Sequence, residues 1–154
     1  MVKIKLCGLT RRCDIEWANE LHPDYVGFVF AGSRRRVTDG QAAQLRKILR
    51  EDIPAVGVFV DDPIDHVAAL VRQGVIQLVQ LHGAEDEAYI RELRRAVSVL
   101  VIQAFSVRSP EDIQAAGRSP ADFVLLDQGA GGTGQSFDWG NIPDLRKPYF
   151  LAGG

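Results

Sequence analysis

The sequence predicts an α/β fold, a (β/α)8 barrel of which this chain supplies seven strands. Three observations carry that reading. Seven short strand-like runs start at intervals of 21 to 30 residues, most of them separated by a segment of helical period. That alternation marks βαβ units and a parallel sheet. The first βα turn, Cys7-Gly8-Leu9-Thr10, lacks the three glycines of a dinucleotide-binding turn, which counts against an open doubly wound sheet. Polar residues also stand late in the runs at matched parity: Lys5 with Cys7, Gln80 with His82, Gln103 with Phe105, and Leu125 with Asp127. A sheet covered by helices on both faces has little use for them, whereas a barrel interior opening on a site at its C-terminal face does.

In the first run, Lys3–Cys7, Ile4 and Leu6 alternate with Lys3, Lys5 and Cys7. A period of two puts Ile4 and Leu6 against a helix layer and turns Lys5 and Cys7 the other way. A lysine inside a strand is costly unless something polar meets it. A thiol one pleat above that cation is biased towards thiolate, although packing is the plainer role for an isolated cysteine. Asp14–Leu21 follows as a helix with Ile15, Ala18 and Leu21 on one face and Trp17 extending it, and Cys13 reads there as packing. Tyr25–Phe30 is the second strand. Thr38-Asp39-Gly40-Gln41 is a capping box leading into a helix over Ala42–Leu49.

Ala55–Val60 is the third strand, after which Asp62 is expected as N-cap and Pro63 at the first helical position before Ile64–Val71. Leu78–Leu81 is the fourth strand, and Glu85–Val97 a helix with Ala88, Leu93 and Ala96 on one side. Val99–Phe105 is the fifth, and Ser109-Pro110-Glu111-Asp112 opens the next helix. Phe123–Asp127 is the sixth. The glycine-rich stretch Gln128–Trp139 leaves room for only a short helix before the seventh, Tyr149–Leu151.

Composition narrows the function. A chain of 154 residues that is 46% hydrophobic and 25% charged reads as one barrel domain over residues 1–154. A net charge of −2 gives no electrostatic case for nucleic acid. Cys7 and Cys13 are too few for a disulfide framework, and no Cys/His metal spacing exists. No apolar run approaches the ~20 residues of a membrane helix, and no signal peptide precedes the first strand. A cytoplasmic protein is the expectation, with no membrane partner.

The ordered pieces are more specific. Lys5-Leu6-Cys7-Gly8-Leu9-Thr10, Val26-Gly27-Phe28-Val29-Phe30, Ser33–Val37, Val56-Gly57-Val58-Phe59-Val60 and Val79-Gln80-Leu81-His82-Gly83 come first. Leu125-Leu126-Asp127, Gly131-Gly132-Thr133-Gly134 with Phe137-Asp138-Trp139, and Leu151-Ala152-Gly153-Gly154 complete the series. In this order and over the whole chain the sequence resembles phosphoribosylanthranilate isomerase, a (β/α)8-barrel enzyme family of tryptophan biosynthesis.

The resemblance implies an Amadori rearrangement of N-(5-phosphoribosyl)anthranilate to the 1-(2-carboxyphenylamino)-1-deoxyribulose 5-phosphate. Cys7 would be the general base and Asp127 the general acid, one on each side of the substrate. No metal or organic cofactor is implied, because the substrate's own nitrogen serves as electron sink. Arg35 best matches the family's Ser-x-Arg-x-Val pattern and would pair with the anthranilate carboxylate, with Arg34 and Arg36 leaving the register open by one residue. His82 would face the substrate. Gly132 would lie in a loop closing over it, and Gly153 and Gly154 would begin a phosphate cradle.

Two other readings stay open at this point. One is a related sugar-phosphate barrel isomerase using paired aspartates, against which the first strand ends in cysteine. The other is a catalytically silent fragment or assembly module. A barrel of this kind takes eight strands and at least about 200 residues, so the expectation is a native chain that continues for roughly 50 residues and is truncated here after strand seven. A complementing C-terminal fragment or a homodimer are the macromolecular partners expected.

Overall fold

The computed structural model describes residues 2–127, 145 and 147–152. Among these residues are seven strands and five helices, in the order β1 Lys5–Cys7, α1 Arg12–Leu21, β2 Tyr25–Val29, α2 Asp39–Ile48, β3 Ala55–Phe59, α3 Ile64–Arg72, β4 Leu78–Leu81, α4 Glu87–Ala96, β5 Leu100–Ser106, α5 Pro110–Gly117, β6 Phe123–Asp127 and β7 Tyr149–Ala152. The strands form one sheet in sequence order, and every neighbouring pair is parallel. A doubly wound sheet reverses its strand order midway. This one never does, so it winds in one direction only.

The sheet also curls. Lys5 on β1 reaches Gln80 on β4, across two intervening strands, at 2.6 Å. Tyr25 on β2 meets Phe150 on β7 edge-to-face with ring centroids 5.7 Å apart. Contacts across so many intervening strands require a concave inner face, which is barrel curvature. That face carries its own cluster, built on Val56, Leu78, Ile102 and Leu125 with Tyr25 and Phe150 packed against it. The opposite parity, including Val26, Phe28, Phe59, Val79 and Val101, packs against α1–α4 residues such as Ile15, Leu45, Val67 and Leu93. Seven parallel strands with helices on the outside are the architecture of a (β/α)8 barrel.

Local chemistry explains most helix starts. Thr38 and Gln41 form the reciprocal capping box, with Gln41 N donating to Thr38 Oγ1 at 3.2 Å and Thr38 N donating to Gln41 Oε1 at 2.8 Å. Ser109 and Asp112 do the same for α5. Three expectations are corrected. Pro63, not Asp62, is the N-cap of α3, because the Asp62 carboxylate is taken by His66 Nδ1 at 2.6 Å. Glu85 precedes α4, whose N-cap is Asp86. Trp17 and Leu21 do not join the buried face of α1: they are 55% and 74% exposed, while Ile15 and Ala18 are buried. Among the described residues β1 pairs on one flank only. Among the described residues no helix is long and apolar enough to cross a membrane.

Candidate active site

Parallel strands end at one rim, and the inward-facing side chains nearest that rim come from β1, β4 and β6. The last residue of β1 is Cys7, and a Cβ at Gly27 on neighbouring β2 would stand 2.7 Å from its sulfur, so glycine there leaves the thiol its space. One pleat below, Lys5 is drawn inward. Burial pushes its ammonium down from the ordinary value, Cys7 beside it raises it in part, and Arg35 lowers it further. The amide of Gln80, 2% exposed, meets this cation.

His82 follows β4 at the rim with the same parity as Gln80. Its Nδ1 lies 2.9 Å from Gln80 Nε2, and its Nε2 lies 3.6 Å from Asp127 Oδ2 at the end of β6. Cys7, Lys5, Gln80, His82 and Asp127 therefore share one inner surface, as their parity predicts. Gln103 does not join them. It pairs in register with the outward-facing Leu81 and Val124, donates from Nε2 to Glu85 O at 2.8 Å and accepts from Ser119 Oγ at 2.6 Å. Phe105 likewise packs beside α5. The polar group on β5 serves the loops of the helix layer, and the inward parity expected for these two residues is wrong.

The arginine segment is resolved in space. Arg35 Nη1 donates to the carbonyl oxygen of Cys7 at 3.1 Å. Gly8 makes that crossing feasible: its φ is +86°, and a Cβ there would meet Arg35 Cδ at 2.6 Å. Arg36 instead forms a parallel bridge with Val29 and lines a separate cleft of about 400 Å³ with Asp39 and His66. Gly132, Gly153 and Gly154 lie outside the described residues.

Glu85 is a further residue of this rim. The residue is 6% exposed, and its carboxylate accepts from Asp61 N at 2.7 Å and from Gly83 N at 2.8 Å, fixing the turn directly after His82. Asp61 returns the contact by accepting from Ala84 N at 2.7 Å, and its backbone takes φ +50° to do so. An acidic residue three positions past His82 was the only local signal. Gln80 was visible as a polar residue in an apolar strand, but its two partners were not.

The chain matches the family model described as N-(5'phosphoribosyl)anthranilate (PRA) isomerase over residues 4–154. It is 44% identical to the N-(5'-phosphoribosyl)anthranilate isomerase of Endomicrobium trichonymphae, over 100% of this chain and 78% of that protein. The crystal structure of phosphoribosyl anthranilate isomerase from Thermotoga maritima superimposes with a TM-score of 0.87 at 32% identity, covering 100% of this chain and 78% of that one. A phosphoribosyl anthranilate isomerase in complex with reduced 1-(o-carboxyphenylamino)-1-deoxyribulose 5-phosphate aligns with a TM-score of 0.78 at 31% identity, over 90% of this chain and 67% of that one. Sequence, strand order and inner-face chemistry converge: the chain belongs to the N-(5'-phosphoribosyl)anthranilate isomerases, (β/α)8-barrel enzymes of tryptophan biosynthesis.

Proposed function

We propose that this chain carries out the Amadori rearrangement of N-(5-phosphoribosyl)anthranilate with Cys7 as general base and Asp127 as general acid. The observation that supports it is their placement on one concave face, at the rim ends of β1 and β6, with His82 beside Asp127 and Arg35 crossing the end of β1. Asp127 gives a proton to the furanose ring oxygen as the C1′–O bond breaks, leaving an iminium at C1′. Cys7 thiolate then takes the proton from C2′, and the electron pair moves towards nitrogen to give an enolamine. Protonation at C1′ and loss of the hydroxyl proton at C2′ yield the ketone. Lys5 lies one pleat beneath Cys7, with its ammonium held by the Gln80 amide at 2.6 Å. Arg35 holds the anthranilate carboxylate through a bidentate pair, His82 lines the substrate, Gly132 belongs to a loop closing over it, and Gly153 and Gly154 begin the phosphate cradle.

The open side of the sheet bears on the partner. Among the described residues β1 and β7 each pair on one flank only, and Ile4 just before β1 and Tyr149 and Leu151 on β7 are exposed. Unpaired apolar edges invite a further strand. An eighth βα unit, placed between β7 and β1, is the occupant that fits their parallel direction. The deciding experiment is a fluorescence assay of freshly made phosphoribosylanthranilate with the purified chain, alone and with a fragment carrying that unit. Consumption of substrate in either arm is expected. No turnover in both arms, with the barrel assembled, would overturn the reading.

A further inference from the structure

Gln80 is the one amide buried on the inner face of β4, and its two ends touch different groups. Lys5 Nζ donates to its oxygen at 2.6 Å, and its nitrogen lies 2.9 Å from His82 Nδ1. An ammonium has only protons to offer, so the amide oxygen must face Lys5 and the NH2 must face the imidazole. An NH2 group donates. His82 Nδ1 must then accept, and a neutral imidazole that accepts at Nδ1 carries its proton on Nε2. Nε2 is the nitrogen turned to Asp127, at 3.6 Å.

We propose that Gln80 is a positioning residue: oriented by Lys5, its amide holds His82 as the Nε2–H tautomer, so that a proton donor faces the Asp127 carboxylate. The consequence for catalysis rests on the role given to Asp127 above. An acid becomes a carboxylate once its proton has left, and a donor already aimed at it stabilises that later state more than the starting one. The opposite tautomer would turn a lone pair towards the same carboxylate. The 3.6 Å separation is long for a hydrogen bond, as such contacts commonly are before substrate is bound. No other route fixes the ring as directly, since no hydrogen bond to His82 Nε2 is found among the described residues.

The test is 15N NMR of the chain labelled at histidine, with the His82 signals assigned by His22→Gln and His66→Gln variants. In the parent protein, neutral His82 is expected to be protonated at Nε2 and bare at Nδ1. Gln80→Glu replaces the donor with an acceptor of nearly the same shape. It should invert the tautomer to Nδ1–H. Where the chain turns over substrate, the same variant should lower kcat about tenfold or more with little change in KM. A purely structural glutamine would leave both ring nitrogens as they are. Parent His82 protonated at Nδ1, or a folded Gln80→Glu with unchanged ring signals, overturns the proposal. If Gln80→Glu does not fold, the parent spectrum decides alone. A chain that shows the tautomer and its inversion but no isomerase activity refutes the proposed function and leaves this inference standing.

Discussion

Arg35 donates to the carbonyl oxygen of Cys7 across the bare backbone of Gly8, tying the arginine segment after β2 to the end of β1. Among the described residues the guanidinium has no other hydrogen-bond partner, so at the end of β1 a planar carboxylate can be gripped. Arg34 and Arg36 share the charge but not this position. Arg35→Ala should therefore raise KM several-fold more than Arg34→Ala or Arg36→Ala does. Gly8→Ala should mimic it, because the added Cβ collides with Arg35 Cδ and strains a backbone at φ +86°. Steady-state kinetics of the four variants check this, and equal small effects from the three arginines would contradict it.

Cys7→Ser should keep the fold and lose most of the activity, since a hydroxyl is a far weaker base than a thiol held over an ammonium. Circular dichroism and kcat at neutral pH are the measurements. A serine variant with near-parental kcat would move the base elsewhere.

Asp127→Asn preserves size at the rim end of β6 and removes the proposed proton donor. The expected cost in kcat is on the order of 10²–10⁴-fold, the range of general acids. A loss of only a few-fold would place the acid on another residue.

Asp14 reports on stability. The Arg11 guanidinium bonded to it, together with the amides of Thr10 and Arg11, outweighs its partial burial and holds its carboxyl at about 2. A carboxylate depressed on folding stabilises the protein above its unfolded pKa of about 3.9 and loses that contribution as pH falls through the folded value. Asp14→Ala should cost about 1 kcal/mol at pH 7, a typical loss for a helix-start cap. The gap from the parent should close between roughly pH 4 and pH 2. Urea unfolding at several pH values reads it, and a gap independent of pH would refute it.

His66 should behave with the opposite sign. Burial alone pushes its imidazole down, but Asp62 and Asp39 on either side more than offset it, leaving the pKa above its ordinary value. Its ring also stands edge-on to Phe30 and Phe59. A group raised on folding stabilises fully below the unfolded pKa of about 6.5 and loses that contribution as pH rises through the folded value. His66→Asn should thus be most destabilising in mild acid and approach the parent in the alkaline range. A difference that grows with pH would sink the assignment.

Much of this protein was legible in the sequence because the signals are local. The alternation of strands and helices, the Thr38–Gln41 and Ser109–Asp112 capping boxes, and the inward parity of Lys5, Cys7, His82 and Asp127 all follow from periods of a few residues. Parity alone could not say which layer a polar side chain serves, and Gln103 shows the failure: its register against Leu81 turns it to the helix layer, where Glu85 and Ser119 satisfy it. Nor could a window around α1 show that Trp17 and Leu21 stay exposed while Ile15 and Ala18 are buried.

Tertiary structure alone decided the contacts that give the rim its chemistry. Arg35 was separated from its neighbours by the glycine gap at Gly8, and Gln80 acquired Lys5 as a partner 75 positions away in the chain. The physical reason is that such meetings depend on how far the sheet curls. Curl is set by the sum of strand twist and packing over four strands, and no short stretch of sequence contains that sum.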